Sequence, residues 1–488
     1  MTETDYSSAG AASRGALERA ARRRLVEDTA GGYRTGADLL ESVRGVAGAI
    51  QQAGPPQRVG LWYGNSIAAL EAHLAVESAG QTRVPVDPGA PASEARAVFE
   101  AAGVELVLCD ERHAEMLEGA VLVHDEHRGL REPGRFRPVP YDPDRTQLLY
   151  PRMAAGGSLF AVPVSYANWD ATMRVNEDLY RSGVYGRGFG PDERFLTVQQ
   201  MLHGTGFLGT FPFLRMGLPQ VVVEQFTAAA ALDAIHRFEP TATFMVPGMV
   251  TRLAGEVGAS AGAEAFSLRR VLYGGAPFAA DEMRAAMGVL GPVLVQVYGR
   301  MEGGWPVAVL GQEEHRRIHE GDERLAQSFG RAIGAAEVRL RHIPGDGSEV
   351  GELCVRSAMA AKEYSDPDGW CALGDVVERQ AGGYLRFLRR LDGMINTGSY
   401  HVYPREVEDA IKAMPGVREV AVVGEPDPRW GQRVVAYVVA DAEVRESIER
   451  QLAAALPERL ARYKHPKQIR VVDSLSDLEG VGVEPPGA

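Results

Sequence analysis

The sequence predicts an α/β fold in two parts, a large N-terminal portion over residues 1–390 and a small α+β portion over residues 391–488. Three observations carry this. At 488 residues the chain is too long for one ordinary hydrophobic core. Short apolar runs alternate with helical patterns along most of it, which implies parallel sheet with crossover helices. Beyond about Arg390 the texture changes to a compact mixture of strands and helices, joined at "RRLDG".

The elements follow in order. "RVGLWYG" reads as a strand followed by the helix "SIAALEAHLAVESAG"; "TRVPVD" is a strand followed by the helix "ASEARAVFEAAG"; "VELVLCD" is a strand again. The pattern resumes at "RFLTVQQ", "PQVVVEQF", the helix "AAAALDAIHRFEP", "ATFMVP", "RRVLYGGAP" and "PVLVQVYG". The last portion holds "HVYPREVEDAIKAMP", "VREVAVVGEPD", "RVVAYVVAD" and the helix "VRESIERQLAAALPERL".

A composition 45% hydrophobic and 24% charged is that of a globular chain rather than a disordered one. The formal net charge of -13 argues against nucleic acid or an anionic membrane as a partner. Cys109, Cys354 and Cys371 have neither pairing nor metal spacing and read as reduced core thiols. No leader-like apolar stretch opens the sequence and no segment is an uninterrupted apolar span of membrane length, so a cytoplasmic protein is expected.

The stretch "LLYPRMAAGGSLFAVPVSYANW", Leu148 to Trp169, has the frame of a phosphate-binding loop, with Ser165 and Asn168 opening a helix. Such a loop offers hydroxyls, glycines for close backbone approach and a lysine against the charge. Here only Gly156, Gly157 and Ser158 remain, and Leu159 and Phe160 stand where the cation belongs. Lysine occurs only at Lys362, Lys412, Lys464 and Lys467, so the first 361 residues supply none.

Seven blocks follow one another in a familiar order: "VESAGQTRVPVDPGAP", "VLYGGAP", "VQVYGRMEGG", "GELCVRS", "GWCALGDVVE", "GYLRFLRRLDGMINTGSYHVYPREVE" and "VAVVGEPDPRWGQRVVAYVV". Together they resemble the adenylate-forming superfamily of acyl-CoA synthetases, peptide-synthetase adenylation domains and luciferases. The resemblance implies a large multi-sheet α/β domain and a small mobile C-terminal domain with the active site between them. It also implies two half-reactions. A carboxylate attacks ATP to give acyl-AMP, and a pantetheine thiolate then attacks the acyl carbonyl and releases AMP.

Positions matching the nucleoside site are retained. By resemblance, Gly274, Gly275, Ala276 and Pro277 lie along the adenine, and Tyr298 and Gly299 stack on the base and admit it. Asp375 accepts the ribose hydroxyls, Arg390 contacts the same ribose, and Asp392 is the hinge between the domains. His203 matches a position bordering the acyl carbonyl and is the candidate base; Gly398, Ser399 and Tyr400 match the pantetheine channel, where Ser399 and Asn396 replace the family's glycine and lysine-like residues. Glu302 matches a magnesium-binding glutamate. In isolation these residues have plainer readings: Gly-Gly-Ala-Pro as a turn, Asp375 as a strand-end carboxylate, His203 as a core histidine.

The departures fall on the phosphate tail. The loop is degenerate, the family's phosphate-contacting threonines are Met301 and Leu373, and no lysine follows Lys467. Removing one preorganised donor costs ~10²–10³ in rate, and Arg152, a planar fork at the wrong end of the loop, does not replace a compact ammonium. The resemblance therefore implies an enzyme that skips adenylation and transfers the acyl group of a preformed acyl-AMP to coenzyme A. Its substrates are then acyl-AMP and coenzyme A, with no resident metal and the need for magnesium left open. A separate adenylating partner would supply the acyl-AMP, as in split acyl-CoA ligase pairs of actinobacterial natural-product pathways. A complete ATP-dependent ligase with an unorthodox loop, and a non-catalytic adenylate-binding or scaffold protein, stay open. The apolar, glycine-rich segments Met201 to Phe211 and Tyr273 to Trp305 point to a bulky hydrophobic acid.

Overall fold

The structure, a computed structural model, describes all residues except 1–6, 55–57, 126–128, 131–133, 154–158, 260–266, 344–346, 392, 399, 428 and 476–488. The alternating pattern folds into two large sheets. The first has thirteen strands. Its parallel half runs Arg24–Asp28, Gln220–Val222, Phe195–Thr197, Ala242–Met245, Arg270–Tyr273 and Leu294–Arg300 in spatial order. Successive strands leave Phe195–Thr197 on opposite sides, so a crevice opens at their carboxyl ends, where open α/β sheets hold ligands. The antiparallel half continues from Gly304–Leu310 through Tyr384–Arg390 and Cys371–Arg379. The second sheet has seven strands centred on Arg58–Trp62 and ends in the hairpin of Thr146–Met153 and Leu159–Ser165.

The helix Ile67–Ser78 is buried at every residue, in a core that draws on both sheets. Its alanines allow close approach, and its polar side chains are satisfied inside. Glu71 accepts from His124 Nε2 at 2.8 Å and Arg34 Nε at 3.2 Å, and Glu77 accepts from Ser13 Oγ at 3.1 Å. The helix Tyr166–Arg181 starts at Ser165 and Asn168 as their spacing requires, each side chain capping the other's backbone. The degenerate loop itself, Gly156, Gly157 and Ser158 included, lies outside the described residues. Leu159 and Phe160 begin the second hairpin strand, paired with Met153 and Arg152.

Strands through Arg390 belong to the large sheets, and those from Ile395 onward form a separate five-stranded sheet. Its core gathers Val402, Val407, Ile411, Val434 and Ile448. Asp392, expected as the hinge, lies outside the described residues. The small unit rests on the large one through polar contacts. Lys464 Nζ lies 2.5 Å from both Glu94 Oε1 of the large unit and Glu406 Oε1 of the small one, and is 5% exposed. Glu94 also accepts the Ala461 amide at 2.6 Å, and Ser93 Oγ donates to the Glu458 carbonyl at 2.9 Å. Burial works against the Lys464 charge, but the two carboxylates outweigh it and raise the pKa.

Breaking a buried ion pair by removing one partner costs about 3–5 kcal/mol because the other charge is stranded. Lys464→Met is therefore expected to undock the small unit while both units stay folded. Small-angle scattering should show a larger radius of gyration with unchanged circular dichroism; an unchanged scattering curve would show that docking does not rest on Lys464.

Candidate functional site

Between the two units lies a cavity of about 1250 Å³, counting its open mouth. Its inner part is apolar, formed by Leu208, Phe244, Val297, Met301 and Trp305. Its mouth is polar and aromatic, with Tyr150, His203, Tyr400, Tyr403 and Tyr463. Only part of the expected acyl region faces it. Phe207 and Phe211 are fully buried elsewhere, edge-on to Trp169 and beneath the Arg83 guanidinium. Trp305 forms the floor because two neighbours have no side chain. A Cβ on Gly204 would stand 2.1 Å from its Cζ2, and one on Gly299 would stand 2.6 Å from its Cδ1.

His203 N-caps the helix Gly204–Arg215, and its Nδ1 lies 2.8 Å from the Tyr150 hydroxyl. Tyr400 of the small unit packs edge-on against the His203 ring, with centroids 5.2 Å apart, and stacks on Tyr463 at 4.3 Å. Burial, with Asp87 and Tyr150 nearby, pushes the Tyr400 phenol up, which keeps it neutral. Gly398 has φ +61°, and a Cβ there would meet Trp430 Cε3 at 2.7 Å, so the turn before Tyr400 admits only glycine. Ser399 lies outside the described residues. Asn396 Nδ2 donates to the Gly275 carbonyl, which ties the small unit to the loop after the strand Arg270–Tyr273.

That loop holds Gly274, Gly275, Ala276 and Pro277. Gly274 is required by packing, since a Cβ would lie 2.2 Å from the Val297 carbonyl oxygen, whereas Gly275, at φ +81°, reaches the cavity. Pro277 Cδ lies 3.6 Å from where a Cβ on Gly431 would stand, another meeting of the two units.

Asp375 and Arg390 face each other across adjacent strands, with Arg390 Nη1 2.5 Å from Asp375 Oδ1. The Tyr298 hydroxyl donates to Asp375 Oδ2, and the Tyr298 ring stacks on Phe329 at 4.1 Å. Burial, then Asp375, raises the Tyr298 pKa, so the phenol remains a donor. Asp375 is 3% exposed, and among the described residues Arg390 and Tyr298 each donate to one of its oxygens.

Sequence reasoning passed over Arg300, which sits in the quoted "YGRMEGG" between the glycine and the methionine. Its Nε and Nη2 lie 3.3 and 3.2 Å from the two Glu302 oxygens, and its Nη1 lies 4.0 Å from Asp375 Oδ1. Burial opposes its charge, yet Glu302 and Asp375 raise its pKa. It also passed over the partnership of Lys464 with Glu94, 370 residues away. A charged residue closing a largely apolar strand was the available signal for Arg300; nothing local marked Lys464.

The AMP-binding enzyme family model matches residues 13–140 and 161–365, and that of the AMP-binding enzyme C-terminal domain matches 406–477. The chain belongs to the AMP-binding enzyme family. The break at 141–160 contains the degenerate loop. The chain is 32% identical over 307 residues to a medium/long-chain fatty acid–CoA ligase of Mycobacterium tuberculosis, covering 59% of this chain and 52%, about half, of that protein. It is 30% identical over 468 residues to a feruloyl-CoA synthase of an Amycolatopsis species, covering 90% of each. Among solved structures, the amide bond synthetase McbA of Marinactinospora thermotolerans is 28% identical with a TM-score of 0.81, over 95% of this chain and 96% of that one. The o-succinylbenzoate CoA synthetase of Bacillus subtilis appears in two states. A double mutant bound with a product analogue, OSB-NCoA, gives a TM-score of 0.82 at 22% identity over 95% of both chains. The enzyme with its acyl-adenylate intermediate gives 0.67 at 21%, over 95% of this chain and 94% of that one.

An AMP-binding enzyme that uses ATP needs magnesium, which binds through one or two carboxylates together with substrate phosphates. The residues here do not fit it. Arg300 engages both oxygens of Glu302, the carboxylate that the resemblance assigns to the metal. Met301 and Leu373 are buried at 4% and 3% exposure in hydrophobic clusters, so neither position offers a polar contact. No helix is long and apolar enough to cross a membrane among those residues.

Gly204→Ala should force the Trp305 indole out of its seat. Overpacking of this kind costs about 1–3 kcal/mol, read as a lower urea midpoint; an unchanged midpoint would show that Trp305 does not lodge against that helix.

Proposed function

We propose that the chain carries out the thioester half of the family's chemistry, moving the acyl group of a preformed acyl-AMP onto the thiol of coenzyme A. The observation that carries this reading is the closed small unit, with Asn396 on the Gly275 carbonyl and Tyr400 against His203 at the cavity mouth. The superpositions support it: one synthetase matches better with a product analogue bound than with its acyl-adenylate, 0.82 against 0.67. The loss of phosphate-tail residues supports it from the other side. The loop without lysine, Met301, Leu373 and the Arg300–Glu302 pair leave little to grip a metal-bound triphosphate.

In this reading the adenosine lies along Gly274 to Pro277 with Tyr298 and Gly299 beside the base, and Asp375 and Arg390 take the ribose. The acyl chain enters the apolar floor at Phe244, Val297 and Trp305. Pantetheine passes Gly398 and Tyr400. His203, oriented by the Tyr150 hydroxyl, takes the thiol proton; a thiol pKa of ~8.5 leaves little thiolate at neutral pH without such help. The sulfur attacks the acyl carbonyl carbon, the bond from that carbon to the phosphate oxygen breaks, and AMP departs with the electron pair. The energy of the step resides in the mixed anhydride, and the protein supplies proximity and orientation.

An exposed cationic patch suits the phosphates of coenzyme A. Arg252 of the large unit and Arg429, Arg462 and Lys467 of the small one are exposed. After burial, the chief opposing influence on the charges of Arg252 and Lys467 is their cationic neighbours, Arg429 for both and Arg462 for Lys467. In a chain of net charge -13 this concentration calls for an anion. The likeness to an amide bond synthetase favours a second reading, in which the acceptor is an amine. A separate ligase would supply the acyl-AMP in either case.

Feruloyl-AMP and a medium-chain acyl-AMP, each with coenzyme A, are expected to give thioester, while the corresponding acids with ATP and magnesium give none. Efficient thioester formation from ATP would contradict the reading, and amide formation without thioester would select the amine acceptor. Lys467→Glu is expected to raise KM for coenzyme A about tenfold, as loss of a charge-assisted contact does, with little change for pantetheine; equal effects on both would remove the patch from the thiol site.

A further inference from the structure

We propose that Arg300 is the resident cation of the nucleotide site: it neutralises Glu302 in place of a divalent metal and turns its remaining edge to the phosphate of the bound adenylate. The inference rests on the thioester reading only in naming acyl-AMP as the substrate.

The geometry points to it in three ways. First, Arg300 is 8% exposed yet borders the cavity, at the end of the strand Leu294–Arg300. Second, its five donors are unequally used. Nε and Nη2 approach the Glu302 carboxylate as a fork, at 3.3 and 3.2 Å, whereas Nη1 makes no hydrogen bond among the described residues and lies 4.0 Å from Asp375 Oδ1. A planar guanidinium fixed by one carboxylate presents its free edge in a set direction, and phosphate is the anion that edge fits. Third, the charges balance before any ligand arrives. Arg300 and Arg390 face Glu302 and Asp375, all four 10% exposed or less at the side chain. A divalent ion on Glu302 would have to displace the guanidinium that already holds both its oxygens, while the phosphate of an adenylate would meet that guanidinium in place.

The neighbouring position fits the same picture. Met301 is buried in the hydrophobic core and brings no oxygen to a metal-bound phosphate. The cation and the anion therefore come from one tripeptide, Arg300-Met301-Glu302, and no ion from solution is required.

The test is calorimetric binding of AMP and of adenosine to the full-length protein, each in magnesium and in EDTA, which requires no turnover and no knowledge of the acyl group. Wild type is expected to prefer AMP over adenosine by about tenfold or more, the worth of a charge-assisted hydrogen bond, equally in both buffers. Arg300→Gln should lose that preference in EDTA and recover part of it in magnesium, once Glu302 is free to take the metal. Glu302→Gln, which leaves the guanidinium in place, should retain the preference in both buffers, and Arg300→Lys, which keeps the charge without the fork and guards against a folding defect in the first variant, should retain part of it in EDTA. Wild-type AMP affinity that falls about tenfold in EDTA would overturn the proposal. So would an unchanged ratio of AMP to adenosine in a folded Arg300→Gln protein, which would make Arg300 a purely structural partner of Glu302. Thioester formation from ATP alongside metal-indifferent AMP binding would overturn the thioester reading and leave Arg300 in its role; metal-dependent AMP binding in a protein that makes thioester only from acyl-AMP would do the reverse.

Discussion

One buried ammonium sets the shape of this molecule. Lys464, held between Glu94 of the large unit and Glu406 of the small one, fixes the small unit over the carboxyl ends of the parallel strands. The contacts across the cavity mouth follow from that placement: Tyr400, backed by Tyr463 of its own unit, reaches His203, and Asn396 reaches the Gly275 carbonyl. The contact has little slack. An ammonium 5% exposed between two carboxylates is paired on both sides, and moving the small unit away would break its contact with Glu94 while Glu406, on its own unit, stays with it.

Behind that closure, two carboxylates face two guanidiniums among the described residues. Asp375 is held by Tyr298 and Arg390, and Glu302 by Arg300. This pairing divides the family's chemistry at a natural seam. Binding an adenylate needs a flat slot for the base, donors and acceptors for the ribose and one cation for one phosphate. Forming the adenylate needs in addition a grip on a metal-bound pyrophosphate leaving group. On the proposed reading, Met301, Leu373 and the Arg300–Glu302 pair leave the second grip unsupplied, while Gly275, Tyr298, Asp375 and Arg390 would supply the first.

Much of the fold was legible because it rests on local signals. The helix Ile67–Ser78 announced itself by its cap and alanine-rich run, the capping pair Ser165 and Asn168 by its spacing, and the parallel strands by apolar runs between helical patterns. The motif residues were legible one at a time, but their partnerships were not. Asp375 meets Arg390 through strand register and Tyr298 across 77 residues, and Glu94 meets Lys464 across 370, distances over which no periodicity operates. Phe207 and Phe211 were expected near the acyl pocket because they are apolar and nearby in sequence; the turn of their helix sends them instead into the core beside Trp169. Arg300 escaped notice for a different reason. A charge next to a motif reads as a solvated side chain until the structure shows a carboxylate two residues later bonded to it.

The claim that this chain is built for one pose, and so for one half-reaction, is tested most directly by pulsed dipolar measurement of the distance between spin labels on the two units. The native thiols will not compete for label, since Cys109, Cys354 and Cys371 are buried and burial raises each of them, Cys109 and Cys371 to about 12. Val289→Cys on an exposed face of the large unit and Glu449→Cys on the small unit provide the sites. A single narrow distance distribution, unchanged by ATP with magnesium, by AMP or by coenzyme A, is the result expected of a small unit held by Lys464. A second population that appears with ATP and magnesium would mean that the small unit still swings to an adenylate-forming pose, and would contradict it.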